Sequence, residues 1–455
     1  MAPPPPATGA PAAPAAPGVT VEERRLDGDV PRRILDDSGF DGVAPAFAAS
    51  LRGAGSYGQA ERAAVRHGER LWQRAVDRAQ GRGPAGGEQG RVFGIRPDQG
   101  AGSGACDRKA EEGDNAERWR PTTTRRACVP GTASPARSQR HALSRDDDRP
   151  LYWARLAMTR ELRAWHAQSG LSEAAGTRLL ERLESASRGQ DSMTGGGAGD
   201  RAKGLKRIVV TGFDPFTLDR DIRISNPSGA LALALDGTVI RTADGPARVE
   251  TAVFPVRWGD FADGTVERAL RRALPRADLF VTVSQGRVGR IDVERYNGAW
   301  RGGFGDNENV SETGLVPVKD PATQPQWTTT TLPYAAIAAA GTGRFPVYDN
   351  TSVTEIPAGG TAPVVRPAGP TPGSAARAGG GGDYLSNEIA YRATLLRDRL
   401  GLGIPGGHVH TPVLQFGPGN TDPATGTVSD PVFVQNRLDI TEQLRTIVRV
   451  AAEES

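Results

Sequence analysis

Cysteine is almost absent from this 455-residue chain, which contains only Cys106 and Cys128. Neither residue belongs to a Cys-x-x-Cys pair or lies near a histidine cluster, so the sequence predicts no zinc site. The two thiols either form one disulfide or stay free. Because no cysteine follows residue 128, the remainder of the chain has no thiolate nucleophile of its own.

Long apolar runs are missing as well. No stretch of about 18 apolar residues occurs, so we expect no transmembrane helix and no membrane partner. Residues 1–18 are rich in alanine and proline and lack the basic and apolar regions of a signal peptide. The sequence therefore predicts a cytoplasmic protein. The alternative is a secreted protein whose signal peptide is missing from the gene model.

Lysine is scarce, since only four of the 56 basic residues are lysines. The arginines are interleaved with acidic residues, the net charge is only +3, and no long basic run occurs. We therefore expect no nucleic-acid partner. The absence of a glycine-rich phosphate loop also argues against an α/β protein that handles nucleosides.

Glycine (58 residues) and proline (35 residues) are abundant and make up about a fifth of the chain. The usual share of the two together is roughly 12%, so much of the chain should be loop. The length allows two or three domains. The composition predicts a disordered Ala/Pro-rich start (1–20), a mainly helical region (21–188) with an irregular stretch (81–147), a Gly-rich linker (189–204) and an α/β domain (205–455).

Helical periodicity in the N-terminal region is strongest over Ala60–Ala79, Arg149–Gly170 and Ser172–Ser187. The region contains no functional motif. Three roles stay open for it: packing on the other domain, mediating homo-oligomers, or recruiting a partner. Its isolated histidines (His67, His141 and His166) are interpreted as structural or solvated.

Strands and helices alternate after the linker. The predicted strands are 207–211, 249–256, 278–284, 346–356 and 407–414, and the predicted helices are 226–235, 259–274, 333–340, 384–400 and 441–452. This alternation predicts an α/β fold, with a mostly parallel twisted sheet covered by helices on both faces. In such sheets functional residues lie at the carboxyl ends of the strands.

The first two unusual segments follow predicted strands. Thr211-Gly-Phe-Asp-Pro-Phe216 brings Phe213 and Phe216 into one loop, where the rings either wall a small apolar pocket or are ordinary core. The third strand ends at Gln285, and Glu294 follows in a polar segment. A single glutamate in such a segment is usually solvated.

The other two segments contain a serine and two histidines. Ser386 lies in the first turn of a predicted helix, after Gly379–Gly382, where the helix dipole favours an oxyanion. The alternative role for this serine is helix capping. His408 and His410 project from the same face of a strand. No third ligand accompanies them, so the sequence predicts neither a metal nor a cofactor.

Taken in order, these segments resemble the pyroglutamyl-peptidase I family over essentially all of 205–455. The family motif Gly-Phe-Asp-Pro-Phe-Gly-Gly matches Gly212–Phe216, with Thr217 and Leu218 in place of the last two glycines. The family's strand end Val-Gly-Gln, its glutamate segment Glu-Arg-Val-Ala-Ile-Asn and its histidine strand Gly-Phe-Ile-His-Ile-Pro match, in turn, Val283–Gln285, Glu294–Asn297 and Gly407–Pro412.

The resemblance implies roles for these residues. Glu294 and His410 would be catalytic, Phe213 and Phe216 would sandwich a lactam ring, and Gln285 would help to position that ring. The implied substrates are peptides with an N-terminal pyroglutamate. The family's nucleophile motif, Val-Cys-Asn-His, is replaced here by Leu385-Ser-Asn-Glu388.

Serine in place of cysteine changes the chemistry, because an alcohol needs an aligned base to accept its proton. The sequence thus predicts a hydrolase in which Ser386 attacks, His410 is the general base and Glu294 orients it. The alternative is a catalytically impaired family member that binds peptide termini or a small ligand. A Pro- and Gly-rich insertion, at about 358–382, is expected to reshape or cover the entrance.

Overall fold

A computed structural model describes residues 18–82, 143–194, 204–243 and 245–454. Both cysteines, most of the predicted irregular stretch and nearly all of the predicted disordered start lie outside the described residues. The described residues belong to one compact unit.

The main sheet has seven strands in the order β10-β5-β14-β4-β1-β3-β2. Seven further short strands form smaller antiparallel sheets. The strands are β1 (Lys206–Phe213), β2 (Val239–Thr242), β3 (Gly245–Phe254), β4 (Leu279–Gln285), β5 (Ile291–Glu294), β6 (Tyr296–Gly298), β7 (Trp300–Gly302), β8 (Thr313–Leu315), β9 (Trp327–Thr329), β10 (Val347–Asn350), β11 (Val353–Ile356), β12 (Val364–Arg366), β13 (Ala375–Ala378) and β14 (Gly406–Thr411).

The helices alternate with these strands and also make up the N-terminal region. They are α1 (Val21–Arg24), α2 (Asp29–Ser38), α3 (Val43–Arg52), α4 (Tyr57–Ala79), α5 (Arg149–Ser169), α6 (Glu173–Ser187), α7 (Pro227–Leu235), α8 (Trp258–Ala262), α9 (Thr265–Ala273), α10 (Tyr334–Ala339), α11 (Leu385–Arg399) and α12 (Pro431–Glu453).

The sheet is mixed but mostly parallel, as predicted. Strands β3, β1, β4 and β14 run parallel to one another, whereas β5 runs antiparallel to β14 and β2 runs antiparallel to β3. The reversal of β5 departs from the expectation that the site residues follow the carboxyl ends of parallel strands. Glu294 is the last residue of β5, and it lies opposite His408 rather than beyond the end of β14.

Helices cover both faces of the sheet. Alternate residues of β1 enter different cores: Ile208 and Val210 pack with α12, and Val209 packs with α8, α9 and α11. This alternation is the period of two that a strand buried on both faces requires.

Two helix predictions were wrong in their bounds. The last helix begins at Pro431 rather than Thr441, with Asp430 as its N-cap; the Asp-Pro pair is a start signal that the prediction overlooked. The predicted helix over 259–274 is interrupted at Gly264, whose φ of 78° is left-handed.

The N-terminal helices pack against the α/β domain. Helix α7 is buried at every position, because it packs on β1 and β3 of the sheet, on α12 and on α4. A helix that is apolar all round is expected to be buried in this way. Of the predicted linker, residues 189–194 belong to this packed structure: Met193 is buried, and a side chain at Gly189 would collide with Trp72.

The predicted strand over 346–356 is two strands in different sheets. Its first part, β10, is an edge of the main sheet, and its second part, β11, pairs with β12 and β13. The Pro- and Gly-rich insertion thereby contributes β12 and β13 to a small antiparallel sheet, and its last residues, 379–382, end two residues before α11 begins.

Candidate active site

A pocket of about 330 Å³ lies at the edge where β1, β4 and β14 end. Five of the six predicted site residues line it: Phe213, Phe216, Gln285, Ser386 and His410. Glu294 does not line the pocket but is hydrogen-bonded to His410. The fold thus brings all six residues to one place from five separate segments.

His410 and Glu294 meet diagonally across the antiparallel β14–β5 pair, in which His410 lies opposite Asp292 and His408 lies opposite Glu294. His410 Nδ1 is 2.8 Å from Glu294 Oε1, and Glu294 is fully buried. Because a carboxylate only accepts, Nδ1 carries the proton in this pair. The other ring nitrogen, Nε2, has no hydrogen-bond partner among the described residues and is left as the basic atom of a pocket-lining histidine.

The second oxygen of Glu294 is also engaged. Asn350 Nδ2 donates to Glu294 Oε2 at 2.6 Å and to the carbonyl of Gly380 at 3.0 Å. Sequence reasoning missed Asn350, which lay inside a predicted strand with no distinguishing neighbour. The amide fixes the carboxylate in the plane in which it accepts from His410.

Arg287 places positive charge beside this carboxylate. Its guanidinium lies 3.8 Å from Glu294 Oε1 and 2.7 Å from the buried Asp292, which also pairs with Arg290 at 2.5 Å. Arg287 lines the pocket and its side chain is 47% exposed, so a ligand can reach it. No pattern in the sequence marked Arg287, which simply follows Gln285 and Gly286.

The second histidine of the strand is structural. His408 is completely buried, with Thr282 Oγ1 2.8 Å from Nδ1 and Ser284 Oγ 2.8 Å from Nε2. Burial lowers the pKa of His408 well below its ordinary value, so the ring stays neutral. Its ring contacts that of His410 edge-on at 4.7 Å and helps to hold it.

Ser386 occupies the first turn of α11 and is half-buried at the pocket wall. Its hydroxyl donates to the carbonyl of Gly381 at 3.2 Å, not to His410. The two residues that follow this serine anchor the start of the helix firmly. Asn387 exchanges two hydrogen bonds with the backbone of Gly298, at 2.9 and 2.8 Å, and Glu388 makes a bidentate pair with Arg301.

The glycine run before Ser386 is explained by close approach. A side chain at Gly380 would collide with the Glu294 carboxylate, and one at Gly381 would lie 2.8 Å from His410 Cε1. Only glycine lets the backbone pass so near the Glu294–His410 pair. The glycine run therefore lines the pocket and packs directly against the side chains of Glu294 and His410.

Aromatic rings also line the pocket. Phe213 is buried and stacks on Phe261 at 6.1 Å with an interplanar angle of 13°, and Phe216 lies 6.2 Å from the ring of Tyr384. Gln285 Oε1 accepts from the backbone of Leu414 at 3.0 Å, which fixes the side-chain amide. The pocket thus combines an apolar wall with a few oriented polar groups, the usual composition of a small-molecule site.

Within the described ranges, no group of three or more His, Cys, Asp or Glu side chains is arranged to hold a metal ion. The same residues include no helix long and apolar enough to cross a membrane.

Two family models match the chain. The model described as the PA0049 N-terminal domain matches residues 4–92 and 116–184, and the model of the PA0049 C-terminal domain matches residues 207–317 and 344–415. The curated "Uncharacterized protein PA0049" of Pseudomonas aeruginosa PAO1 is 31% identical over 506 residues, which span 87% of this chain and 81% of that protein.

Solved structures of peptidases are similar to part of the chain. A mutant pyrrolidone carboxyl peptidase from Pyrococcus furiosus is 23% identical, with a TM-score of 0.37, over 55% of this chain and 99% of its own. Pyroglutamyl peptidase I from Bacillus amyloliquefaciens is 21% identical, with a TM-score of 0.38, over 55% of this chain and 95% of its own.

Proposed function

The chain belongs to the PA0049 family, and we propose that its α/β domain is a serine hydrolase that removes an N-terminal pyroglutamyl residue, or a related cyclic or acyl group, from peptides. The observation that carries the proposal is the buried Glu294–His410 pair at 2.8 Å, which leaves His410 Nε2 basic in a pocket that Ser386 shares. A carboxylate, an imidazole and an alcohol together suffice for acyl transfer on many folds.

The first half of the reaction is acylation. Ser386 turns from the Gly381 carbonyl toward His410, and its oxygen attacks the carbonyl carbon of the scissile amide while Nε2 takes the proton. The Glu294 carboxylate stabilises the imidazolium through its hydrogen bond to Nδ1. The C–N bond then breaks, Nε2 returns its proton to the leaving amine, and the acyl group remains on the serine as an ester.

The second half is hydrolysis of that ester. Water gives a proton to His410 Nε2 and attacks the ester carbon, after which the serine oxygen leaves and takes the proton back. The negative charge that develops on the carbonyl oxygen lies near the first turn of α11, where backbone N–H groups and the helix dipole stabilise an oxyanion.

The aromatic wall supports recognition of a small flat acyl group. Phe213 and Phe216 both line the pocket, and Gln285 Oε1 accepts from the backbone N–H of Leu414, which fixes the side-chain amide of Gln285. A five-membered lactam offers two apolar faces to rings and a carbonyl and an N–H to such an amide.

One observation favours a second candidate, a family member that binds this group without hydrolysing it. The Ser386 hydroxyl donates to Gly381 rather than to His410, so the nucleophile is not engaged with its base. Hydrogen bonds of catalytic groups are often unformed without substrate, and we therefore rank hydrolysis first.

Hydrolysis of a chromogenic pyroglutamyl amide tests the proposal, measured for the native protein beside Ser386→Ala and Ser386→Cys. We expect turnover by the native protein that is abolished in the alanine variant. Turnover by the cysteine variant alone would favour the binding function, because it would show an intact pocket around an inactive serine. Equal turnover by native and alanine proteins would contradict the assigned nucleophile.

A further inference from the structure

The loop that carries Phe213 and Phe216 is tied to the N-terminal helices by a buried carboxylate, Asp214. Arg155 Nη2 donates to Asp214 Oδ1 at 2.5 Å, and Arg188 Nη1 donates to Oδ2. All three of these charged side chains are at most 2% exposed. Arg155 belongs to α5 and Arg188 follows α6, so two arginines from outside the α/β domain grip a residue between the two pocket phenylalanines.

The backbone of the same loop is held through further contacts with the helices. Asn226, which lines the pocket, donates its amide to the carbonyl of Asp214 at 2.9 Å, and its own N–H donates to Asp148 Oδ2 at 3.0 Å. Asp148 is buried and immediately precedes α5. The helical region therefore reaches the loop both through its side chain and through its backbone.

A third contact comes from the first helix. Asn307 donates to the carbonyl of Pro215 at 2.9 Å and to Glu22 Oε1 at 3.1 Å, and Glu22 is 1% exposed. Tyr152 of α5 donates to the same oxygen of Glu22 at 2.7 Å. Two consecutive loop carbonyls, those of Asp214 and Pro215, are thus both fixed by amides that residues of the helical region orient.

The loop has a local reason to need such support. Thr217, directly after Phe216, adopts a φ of 59°, a left-handed conformation that β-branched residues rarely take. A residue held in a disfavoured conformation persists only when its surroundings over-determine it. Asp214 and the two arginines supply such a constraint three residues before the strained position.

We propose that the N-terminal helical region is a built-in part of the pocket, in which Arg155 and Arg188 act through Asp214 as positioning residues for the Phe213–Phe216 wall. This inference deepens the proposed function: its statement about recognition of the acyl group rests on that function. Its statement about the ordering of the loop does not depend on catalysis. The helical region then contributes to substrate selectivity, although the nucleophile, the base and the orienting carboxylate all belong to the α/β domain.

Hydrogen–deuterium exchange on the full-length protein tests the ordering of the loop without relying on activity. The variants are Asp214→Asn, which keeps the side-chain shape, and Arg155→Met combined with Arg188→Met. Arg207→Met is the matched control, because Arg207 forms a similarly buried pair with Glu250 in the sheet and lies outside the pocket. We expect amides of residues 211–218 to exchange about tenfold faster or more in the first two variants only.

Kinetics test the consequence for recognition. For the pyroglutamyl amide we expect KM to rise about tenfold or more while kcat changes little, because the aromatic wall binds ground state and transition state alike. For a small acetyl ester, which has no ring to contact the two phenylalanines, we expect a much smaller rise in KM. Arg188→Lys, which keeps a positive charge beside Asp214, should raise KM much less than the double arginine variant does.

Two exchange results would overturn the inference: unchanged exchange over 211–218 in both Asp214→Asn and the double arginine variant, or equal changes in the Arg207→Met control. If the native protein shows no turnover but the loop still loses protection in these variants, the hydrolase proposal is refuted and the positioning role stands. If the native protein shows turnover but the variants have an unaltered KM, the hydrolase proposal stands and the positioning role is refuted.

Discussion

Replacing Glu294 by glutamine is the change that probes the proposed catalytic pair most sharply. Glu294 accepts from His410 Nδ1 through one oxygen at 2.8 Å and from Asn350 Nδ2 through the other at 2.6 Å. Both neighbours are donors, so the site has room for two acceptor atoms and for no donor. Glutamine has one acceptor and one NH2 group, and one of its two contacts must therefore fail.

Either orientation of the new amide harms the site. With its NH2 toward Asn350, two donors face each other in a fully buried position, which leaves polar groups unsatisfied. With its NH2 toward His410, the imidazole must accept at Nδ1 and carry its proton at Nε2, where it no longer acts as a base for Ser386. In both cases the negative charge that stabilises the imidazolium is gone.

The expected loss in kcat is on the order of 10³- to 10⁴-fold, as for other hydrolase triads whose carboxylate becomes an amide. That loss corresponds to about 4–5 kcal/mol of transition-state stabilisation. The assay is hydrolysis of the pyroglutamyl amide, with labelling of Ser386 by a fluorophosphonate as a second readout. Glu250→Gln serves as the control, because it also removes a buried carboxylate from the sheet but lies outside the pocket.

A second change should partly reverse the first. In Glu294→Gln combined with Asn350→Asp, the new carboxylate accepts the glutamine NH2, and the glutamine oxygen turns back to His410. We expect about a tenfold recovery or more, measurable as non-additivity of the two changes. Recovery stays partial because the new carboxylate cannot donate to the carbonyl of Gly380 as the native Asn350 amide does. A Glu294→Gln variant that keeps more than about a tenth of native kcat would refute the orienting role of Glu294.

Two further predictions concern the wall and the interface of the pocket. Gly380→Ala should lower the free energy of unfolding by about 1–3 kcal/mol and remove most of the activity, because the new methyl group collides with Glu294. Gly259→Ala is the control, since Gly259 has open space around it, and it should change neither. Urea denaturation and turnover assays measure the two effects. Burial raises the pKa of Asp148 to about 7, so the folded state binds an extra proton between about pH 4 and 7. The stability that this proton contributes is lost as the pH rises through 7. Asp148→Asn should therefore gain stability relative to the native protein between pH 4 and 7, by about 4 kcal/mol at most, and a difference that does not vary with pH would contradict this.

Much of the α/β domain could be predicted from local patterns. Strands such as β1 and β4 are short apolar runs bounded by turns, and the helices between them have clear periodicity. The elements and the mostly parallel sheet could therefore be predicted from the sequence. The reversed direction of β5 did not, since strand direction depends on long-range pairing that no local pattern encodes. The early start of α12 was predictable in principle, because Asp430 and Pro431 form a recognisable cap.

The site was predictable where a residue type is unusual for its place, and not elsewhere. Paired phenylalanines after a strand, a serine at a helix start and two histidines on one strand are all recognisable in the sequence. Asn350 and Arg287 are not, because their importance comes from contacts with Glu294 that only the fold creates. The glycine run at 379–382 resembles ordinary loop composition, and only its closeness to Glu294 and His410 gives it a structural reason.

The role of the N-terminal helices was left open by the sequence, although one signal was present. Helix α7 alternates alanine and leucine with no polar face, which requires cover on every side. The buried charges that join the two regions, such as Asp214 with Arg155 and Arg188, gave no such signal. Charged residues are mostly exposed, so their pairing inside the protein could not be inferred from position along the chain.

Detection of the acyl-enzyme is the most direct test of the central claim that Ser386 is a nucleophile activated by His410 and Glu294. The protein is mixed with an activated pyroglutamyl ester, quenched in acid and analysed by mass spectrometry, with Ser386→Ala run in parallel. We expect the native protein to gain the mass of one pyroglutamyl group on the peptide that contains Ser386, and the alanine variant to gain none. Acyl transfer to another residue, or none despite turnover of the ester, would contradict it.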